Sequence, residues 1–557
     1  MQVLAGLSGA PAYPSIGGSI PRLRTGRRLS TGALLAETTI ESSPTRGSSR
    51  RLVRGSTLLL AGRLASKLGN FGTQVLIVRY LTKSDFGAFM YAMSIVTLVQ
   101  SVVMLGLDRS IVRFLPIYHE NRQNRRLLGT IAMTVFVIFS LSVLSVVALH
   151  AGHVLFDKWI RDEQARRLLY VLIFLAPLQA LDDVMIGIFA VFARPREIFF
   201  RRYILAPALT LLVVLALVLT RRDVVFLTYG YLAASLLGFV IYSAQLVTLL
   251  RQQELLEPGA VRNMEWPWRE VFSFTFPLLT TELVAVCMST VNVVMLERFW
   301  DTSAVASLRA VQPSAKLNEL VMASFATLFT PMAARLFATR DRSGIDALYW
   351  RSAIWIAIFT FPVFLVTFSM AQPITVLLFG TRYQSAGPIM AMLSIGYYFN
   401  AALGFNGLTL KVFGRLRYVI WINAITAAVS VVLSLLLVPK FGALGAAVAM
   451  LASLVLHNIL KQAGLVLGTG VHLFEWRYLR VYALMVVLAA GLFALPAAGV
   501  TSIPVNLALA AVASIVLIRV NARMLDLDEM FPEILRWPGV RWLLGRPRAT
   551  FTGGGDA

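Results

Sequence analysis

Long apolar runs recur along the chain, separated by short connections that hold most of the basic residues. Each run is roughly 18 to 25 residues long, enough for a helix to cross the ~30 Å hydrocarbon core of a bilayer. A helix satisfies its own backbone groups where water is absent, so the pattern predicts an all-α polytopic membrane protein. The candidate spans are 56–80, 86–107, 127–150, 168–193, 203–220, 224–250, 271–297, 303–337, 349–370, 387–412, 419–438, 443–465, 479–497 and 503–520, about fourteen transmembrane helices. The eighth is longer and more polar than one crossing requires, and is expected to protrude or to break.

The pattern also repeats. "RYLTKSDFGAF" from Arg79 aligns with "RFWDTSAVASL" from Arg298 in the second half of the chain, placing Ser84 on Ser303 and Gly87 on Ala306. The same offset sets Arg196 on Arg415 and Phe199 on Tyr418, and a slightly shifted one sets Phe226 and Gly230 on Phe441 and Gly445. Six helices are duplicated, an even number that preserves orientation. Two parallel six-helix lobes around a central cavity are therefore expected, with two extra C-terminal helices. The domains read as a disordered basic tail (1–54), an N-lobe (55–250), an inter-lobe linker (251–270), a C-lobe (271–465), helices 13 and 14 (466–520) and a C-terminal tail (521–557).

Polar residues inside the spans interrupt this picture. In "GRLASKLGNFGTQVLIVR" (62–79), Arg63, Lys67, Asn70 and Gln74 are spaced by 4, 3 and 4 residues, within about 60° of one another on a helix. A charge at mid-span costs about 2.5 to 3.5 kcal/mol on insertion scales, so the stripe should face protein or water. Arg309, Gln312, Lys316 and Glu319 form a second face in the opposite lobe, and Lys411 ends the tenth span on a face with Asn400, Gly404 and Gly407, where it could line the cavity or anchor the helix end at the interface. A mostly cationic cavity suits an anionic ligand, because Arg offers phosphate a fork and Lys a point charge. The acids Asp182, Asp183, Glu282 and Glu319 are candidates for binding a coupling proton or sodium, or for neutralising nearby bases. Tyr91, Tyr397 and Tyr398 could stack on sugar rings or fill the core.

Composition agrees with a membrane protein: 57% of the 557 residues are hydrophobic and 14% charged, with a mean hydropathy of +0.73. A formal net charge of +23 would point to nucleic acid in a soluble protein. Here the bases cluster in alternate loops, which is a topology signal. It puts both termini in the cytoplasm and argues against nucleic acid as a partner. The 1–54 tail, rich in Arg and Ser with Glu37 and Glu41 as its only acids, also fits a transit peptide or a mis-assigned start. Cys287, the single cysteine, excludes an internal disulfide framework, and no Cys/His spacing marks a metal site. No catalytic residues and no cofactor are expected.

"RYLTKSDFG" (79–87), "LFGTRYQSAG" (378–387) and "FGALGAAVA" (441–449), in this order and spacing, resemble the MOP (MATE-like) superfamily of flippases, and within it the Wzx-like polysaccharide exporters of O-antigen and teichoic-acid type. The resemblance covers residues 54–520. It implies a transporter in the cell membrane that flips an undecaprenyl-pyrophosphate-linked oligosaccharide by alternating access, with other polysaccharide-assembly proteins as partners. A MATE-type exporter of cationic drugs would want acids to dominate the cavity. A membrane glycosyltransferase or polymerase would want a large external loop bearing carboxylates.

Overall fold

The computed structural model describes residues 62, 65–152, 159–255, 264–472, 474–495, 498–499 and 502–521. The tail 1–54, Arg63, the middle of the inter-lobe linker (256–263) and residues 522–557 lie outside them. Every regular element described is a helix. The N-lobe runs α1 (65–80), α2 (Lys83–Met104), α3 (Leu107–Glu120), α4 (Asn124–Ala151), α5 (Glu163–Leu172), α6 (Leu175–Val191), α7 (Pro195–Phe199), a π-helical turn (Phe200–Leu205), α8 (Ala206–Leu219) and α9 (Val224–Gln252). The C-lobe runs α10 (Trp268–Phe299), α11 (Thr302–Lys316), α12 (Asn318–Ala338), α13 (Arg342–Ser369), α14 (Ala371–Phe379), a 3₁₀ turn (Thr381–Ala386), α15 (Gly387–Ala402), α16 (Asn406–Val412) and α17 (Leu416–Thr469). Then follow α18 (Leu479–Ala494) and α19 (Ile503–Asn521). Among the described residues nine helices are long and apolar enough to span a membrane, or eleven when each of two bent pairs is one span.

Local chemistry explains the breaks. The long eighth segment bends by 46° between Thr302–Ala326 and Phe329–Ala338. In α17, Gly442 adopts φ 55 and ψ −132 shortly after Pro439, so two helices meet there end to end. Beside this break the Trp300 indole N–H donates to the Val438 carbonyl at 2.9 Å.

The duplication is visible in the caps. Thr82 Oγ1 accepts from Asp85 N at 3.1 Å, and at the matching place in the second half Asp301 Oδ1 accepts from Ala304 N at 2.7 Å. Left-handed turns recur at Arg122 and Arg340, and at Arg221 and Gly442. This last pair corrects the sequence register: Phe226 lies inside α9, whereas Phe441 precedes its turn. Likewise Arg194, the N-cap of α7, corresponds to Arg415, the N-cap of α17. Arg196 does not. Short Phe/Gly strings recur by chance in apolar helices, while turns mark true element boundaries.

The lobes share an apolar core toward the end where α1 terminates at Tyr80. There Ile77, Phe86 and Leu168 pack with Leu296, Leu308, Phe379 and Tyr383. Toward the opposite end the N-lobe encloses Leu107, Ile111, Leu128 and Val184, joined by Val271 from the start of α10. The C-lobe encloses Phe329, Ala333, Ile356 and Phe405 separately. Helices α18 and α19 pack on α13 through Met485, Ala489, Ala513 and Leu517.

A reciprocal arginine clasp reinforces the shared end. Arg79 donates from Nε to the Leu378 carbonyl at 2.8 Å and from Nη2 to that of Leu377, in the last turn of α14. Arg382 donates from Nη2 to the carbonyls of Val78, at 2.9 Å, and Arg79, in the last turns of α1. Each cation thus caps the negative end of a helix in the other lobe. Removing both by Arg79→Ala with Arg382→Ala deletes four contacts of ~0.5–1 kcal/mol each, a shift of about thirtyfold or more toward separation of the lobes at this end. Spin labels at the exposed Leu219 and Leu436 report it as a longer distance distribution, and an unchanged distribution would refute the clasp.

Candidate functional site

Away from the clasp, α1 becomes bare. Lys67, Leu68, Gly69 and Asn70 are all exposed, and four successive residues point to every side of a helix. A Cβ added at Gly69 or Gly72 would meet nothing within 4 Å. Lys67 lies within electrostatic reach of Glu319 of the C-lobe, so a gap opens between this bare stretch of α1 and the start of α12. Deeper in, Gln74 is half-buried and closes the gap, its Nε2 donating to the Arg309 carbonyl at 3.1 Å.

Arg309 sits where the gap ends. Its Nη2 donates to Ser94 Oγ of α2 at 2.7 Å, and its Nη1 donates to Gln312 Oε1 at 2.9 Å. Gln312, buried, in turn donates from Nε2 to the Tyr397 hydroxyl at 3.2 Å. The Arg309 Nε is buried without a hydrogen-bond partner. One turn further, Lys316 is exposed, with its Nζ 5.7 Å from the centre of the Tyr397 ring. Tyr397 thus joins the site, whereas Tyr91 lies in the shared core and Tyr398 donates to the Ala357 carbonyl inside the C-lobe.

Glu319 is half-buried among bases from three helices: Lys67 of α1, Lys316 of α11 and Lys461 of α17 lie within electrostatic reach of its carboxylate. Its hydrogen bond is instead with a neutral amide, Asn400 Nδ2, at 3.2 Å. Behind Asn400 runs a relay in which Asn458 Nδ2 donates to Asn400 Oδ1 at 3.0 Å and Asn406 Nδ2 donates to Asn458 Oδ1 at 3.1 Å. Lys411 is exposed and next to Lys461. The expected continuous face from Asn400 to Lys411 is broken, because α15 ends at Ala402 and Gly404 turns left-handed at φ 65 before α16 begins. The structure restores the association by tertiary contact through Asn458 and Lys461.

The N-lobe acids form a different cluster. Asp182 Oδ1 accepts from Arg201 Nε at 3.0 Å, and Asp183 Oδ2 accepts from Gln100 Nε2 at 3.1 Å. Arg201 counts as a loop charge in the sequence, but it is only 6% exposed. The π-helical turn carries it, and Gly238 leaves room for its guanidinium: a Cβ there would be 2.9 Å from Nη2. Glu282 lies in α10, with its side chain outside the described residues.

Three residues escape the sequence reading. Lys461 reads there as a loop charge, and Asn458 and His457 carry no motif of their own. A signal is nevertheless present, since His457, Asn458, Lys461 and Gln462 cluster near the end of an otherwise apolar span. A further group, Asp346, His472 and Glu475, brings ligand atoms within 4.8 Å of one another. Both Asp346 oxygens accept from His472 at 2.9 Å, one from its backbone N–H and one from Nδ1, pinning the turn after α17 to the start of α13. The carboxylate also raises the His472 imidazole above its ordinary value.

Residues 52–337, more than half of the chain, match the model of a family described as polysaccharide biosynthesis protein. An uncharacterized membrane protein of Methanocaldococcus jannaschii is 22% identical over 214 residues, a match covering 38% of this chain and 40% of that relative. Among solved structures, the lipid II flippase MurJ in an inward closed conformation superposes with a TM-score of 0.66 at 14% identity, covering 84% of this chain and 99% of that one. A multidrug resistance MATE family transporter of the MOP superfamily, inward-facing, gives 0.57 at 13% identity over 72% of this chain and 96% of that one. A MOP superfamily transporter from Pyrococcus furiosus gives 0.51 at 12% identity over 75% and 94%. These likenesses establish the fold.

Proposed function

The chain belongs to the polysaccharide biosynthesis protein family, and from that premise we propose that it flips an undecaprenyl-pyrophosphate-linked oligosaccharide across the cytoplasmic membrane by alternating access. The observation that carries this reading is the basic gap between α1 and α11–α12. Lys67 lines it from one lobe and Lys316 from the other, Arg309 stands at its inner end, and the lobes are joined beyond it. A polyprenyl tail can stay in the bilayer, but a pyrophosphate and sugars face a barrier of many kcal/mol in hydrocarbon without compensating partners. Two lobes separating first at one end and then at the other carry the headgroup past that barrier.

Arg63, Lys67, Asn70, Gln74, Arg309, Gln312, Lys316 and Lys411 are assigned to the anionic headgroup. The basic loops Arg122–Arg126, Arg194–Arg196, Arg335–Arg342 and Arg415–Arg417 lie toward the Lys67 end, which supports a cytoplasmic position for that end and for both termini. The arrangement then faces the cytoplasm and is sealed on the outer side by the clasp. Asp182 and Asp183 are held within the N-lobe, and Glu319 stands in the gap. These acids, together with Glu282, are the candidates for coupling to a proton or sodium.

The decisive measurement offers proteoliposomes a pyrophosphate-linked oligosaccharide and, separately, a cationic dye. Movement of the saccharide, with the dye left behind, is the expected result. Transport of the dye alone would make the protein a MATE-type antiporter and overturn the proposal.

A further inference from the structure

The gap holds more positive charge than its own acids balance. Lys67, Arg309, Lys316, Lys411 and Lys461 gather from α1, α11, α16 and α17, and Glu319 is the carboxylate described among them. An ordinary charge pair would have Glu319 in contact with one lysine. Instead it is held by the amide relay Asn406, Asn458 and Asn400, and among the described residues no lysine nitrogen reaches ion-pair distance. The amides fix the carboxylate without neutralising it, and the ammonium groups stay free to bind something else.

We infer that Glu319 is a resident counter-anion for the empty site, and that an incoming phosphate group replaces it in that role, so that the headgroup loads together with one proton taken up by Glu319. This rests on the anionic-headgroup reading above. With the site empty, the lysines offset part of the cost of burying the carboxylate. When phosphate oxygens take over those lysines, two negative charges share one partly dehydrated space, and the neutral carboxyl is favoured. The groups facing Glu319 are consistent with this. Lys316 comes from α11, Lys67 from α1, Asn400 and Tyr397 from α15, and Lys461 from α17 with Lys411 behind it. Helix α13 meets α12 through Leu348, Ile356 and Phe359, all apolar. A protonated Glu319 still bonds to Asn400, so the relay survives loading.

Linkage sets the sign. A site that takes up a proton on binding has an affinity that rises as pH falls. Titration calorimetry of the full chain with inorganic pyrophosphate, in two buffers of different ionisation enthalpy, counts the protons. Wild type is expected to take up about one more proton per pyrophosphate than Glu319→Gln, which cancels the titration of the probe itself. Glu319→Gln should bind roughly tenfold tighter at neutral pH, having lost a like charge, and Glu319→Asp should restore the extra proton. The unmutated protein supplies a second measurement: its affinity should rise from pH 7 to pH 5.5, although pyrophosphate loses charge over that range. Equal proton counts in wild type and Glu319→Gln, with binding retained, would overturn the role of Glu319 alone. No pyrophosphate binding by wild type would overturn the headgroup reading as well.

Discussion

Replacing Lys67 and Arg309 together by glutamine is expected to lower flipping of a pyrophosphate-linked saccharide by at least about a hundredfold while the protein still reaches the membrane. Hydrogen bonds to charged groups are worth ~1.5–3 kcal/mol each, and two lost together amount to two or more powers of ten. The residues act from opposite lobes, so the pair measures whether the headgroup is held between them. Lys67 is exposed and touches nothing it would unfold. Arg309 also ties the lobes through Ser94, so Arg309→Lys serves as its control. A lysine keeps the charge but cannot reach Ser94 and Gln312 at once, and it should retain part of the activity. Flipping by the double variant at the wild-type rate, measured in proteoliposomes at matched protein density, would remove the basis for a phosphate site here.

Substituting Gly87 by valine is expected to abolish translocation by a different route. A Cβ at this position would lie 1.8 Å from the Thr302 carbonyl oxygen and 2.5 Å from its carbon, both backbone atoms of the other lobe. Nothing on a flexible side chain can move aside, so α2 and the start of α11 must separate. Small residues permit this approach, as in other close helix crossings in membranes: Gly87, Ala88 and Ala92 from α2 meet Ala306 and Ala310 from α11. The Ser84–Thr302 hydroxyl contact at 3.1 Å would break with them. The clasped end could then no longer close, and on the proposed mechanism alternation would stop. The same spin labels used for the arginine clasp should show a separated population, larger than for the clasp variants because a steric overlap cannot be compensated by water. A valine variant that closes normally and transports would show that the crossing is not required.

Much of the fold is legible in the sequence. Apolar runs of membrane length give helices because no alternative satisfies the backbone in lipid, and the cap at Thr82 and its echo at Asp301 can be seen in the aligned strings. The polar stripe on α11 is legible too, since residues three and four apart share a face wherever the helix goes. Register between the repeats is less secure. Loops of different length shift the turns by a few residues, and apolar helices contain too few distinctive residues to reveal it.

The candidate site is legible only by half. Lys67, Arg309, Lys316 and Glu319 declare themselves as costly charges in apolar spans, whereas Lys461 sits close enough to a span end to pass for a loop charge. Arg201 misleads in the same way: a base at a helix start is ordinary, and only the π-helical turn together with Gly238 shows that it is buried beside Asp182. The sequence by itself determined the membrane class, the duplicated helices and the two basic faces, because periodicity and insertion cost are local properties of a helix. Tertiary structure decided which charges meet, which end of the molecule is joined, and that Glu319 is held by amides and not by a lysine, because these depend on distances between helices far apart in the chain.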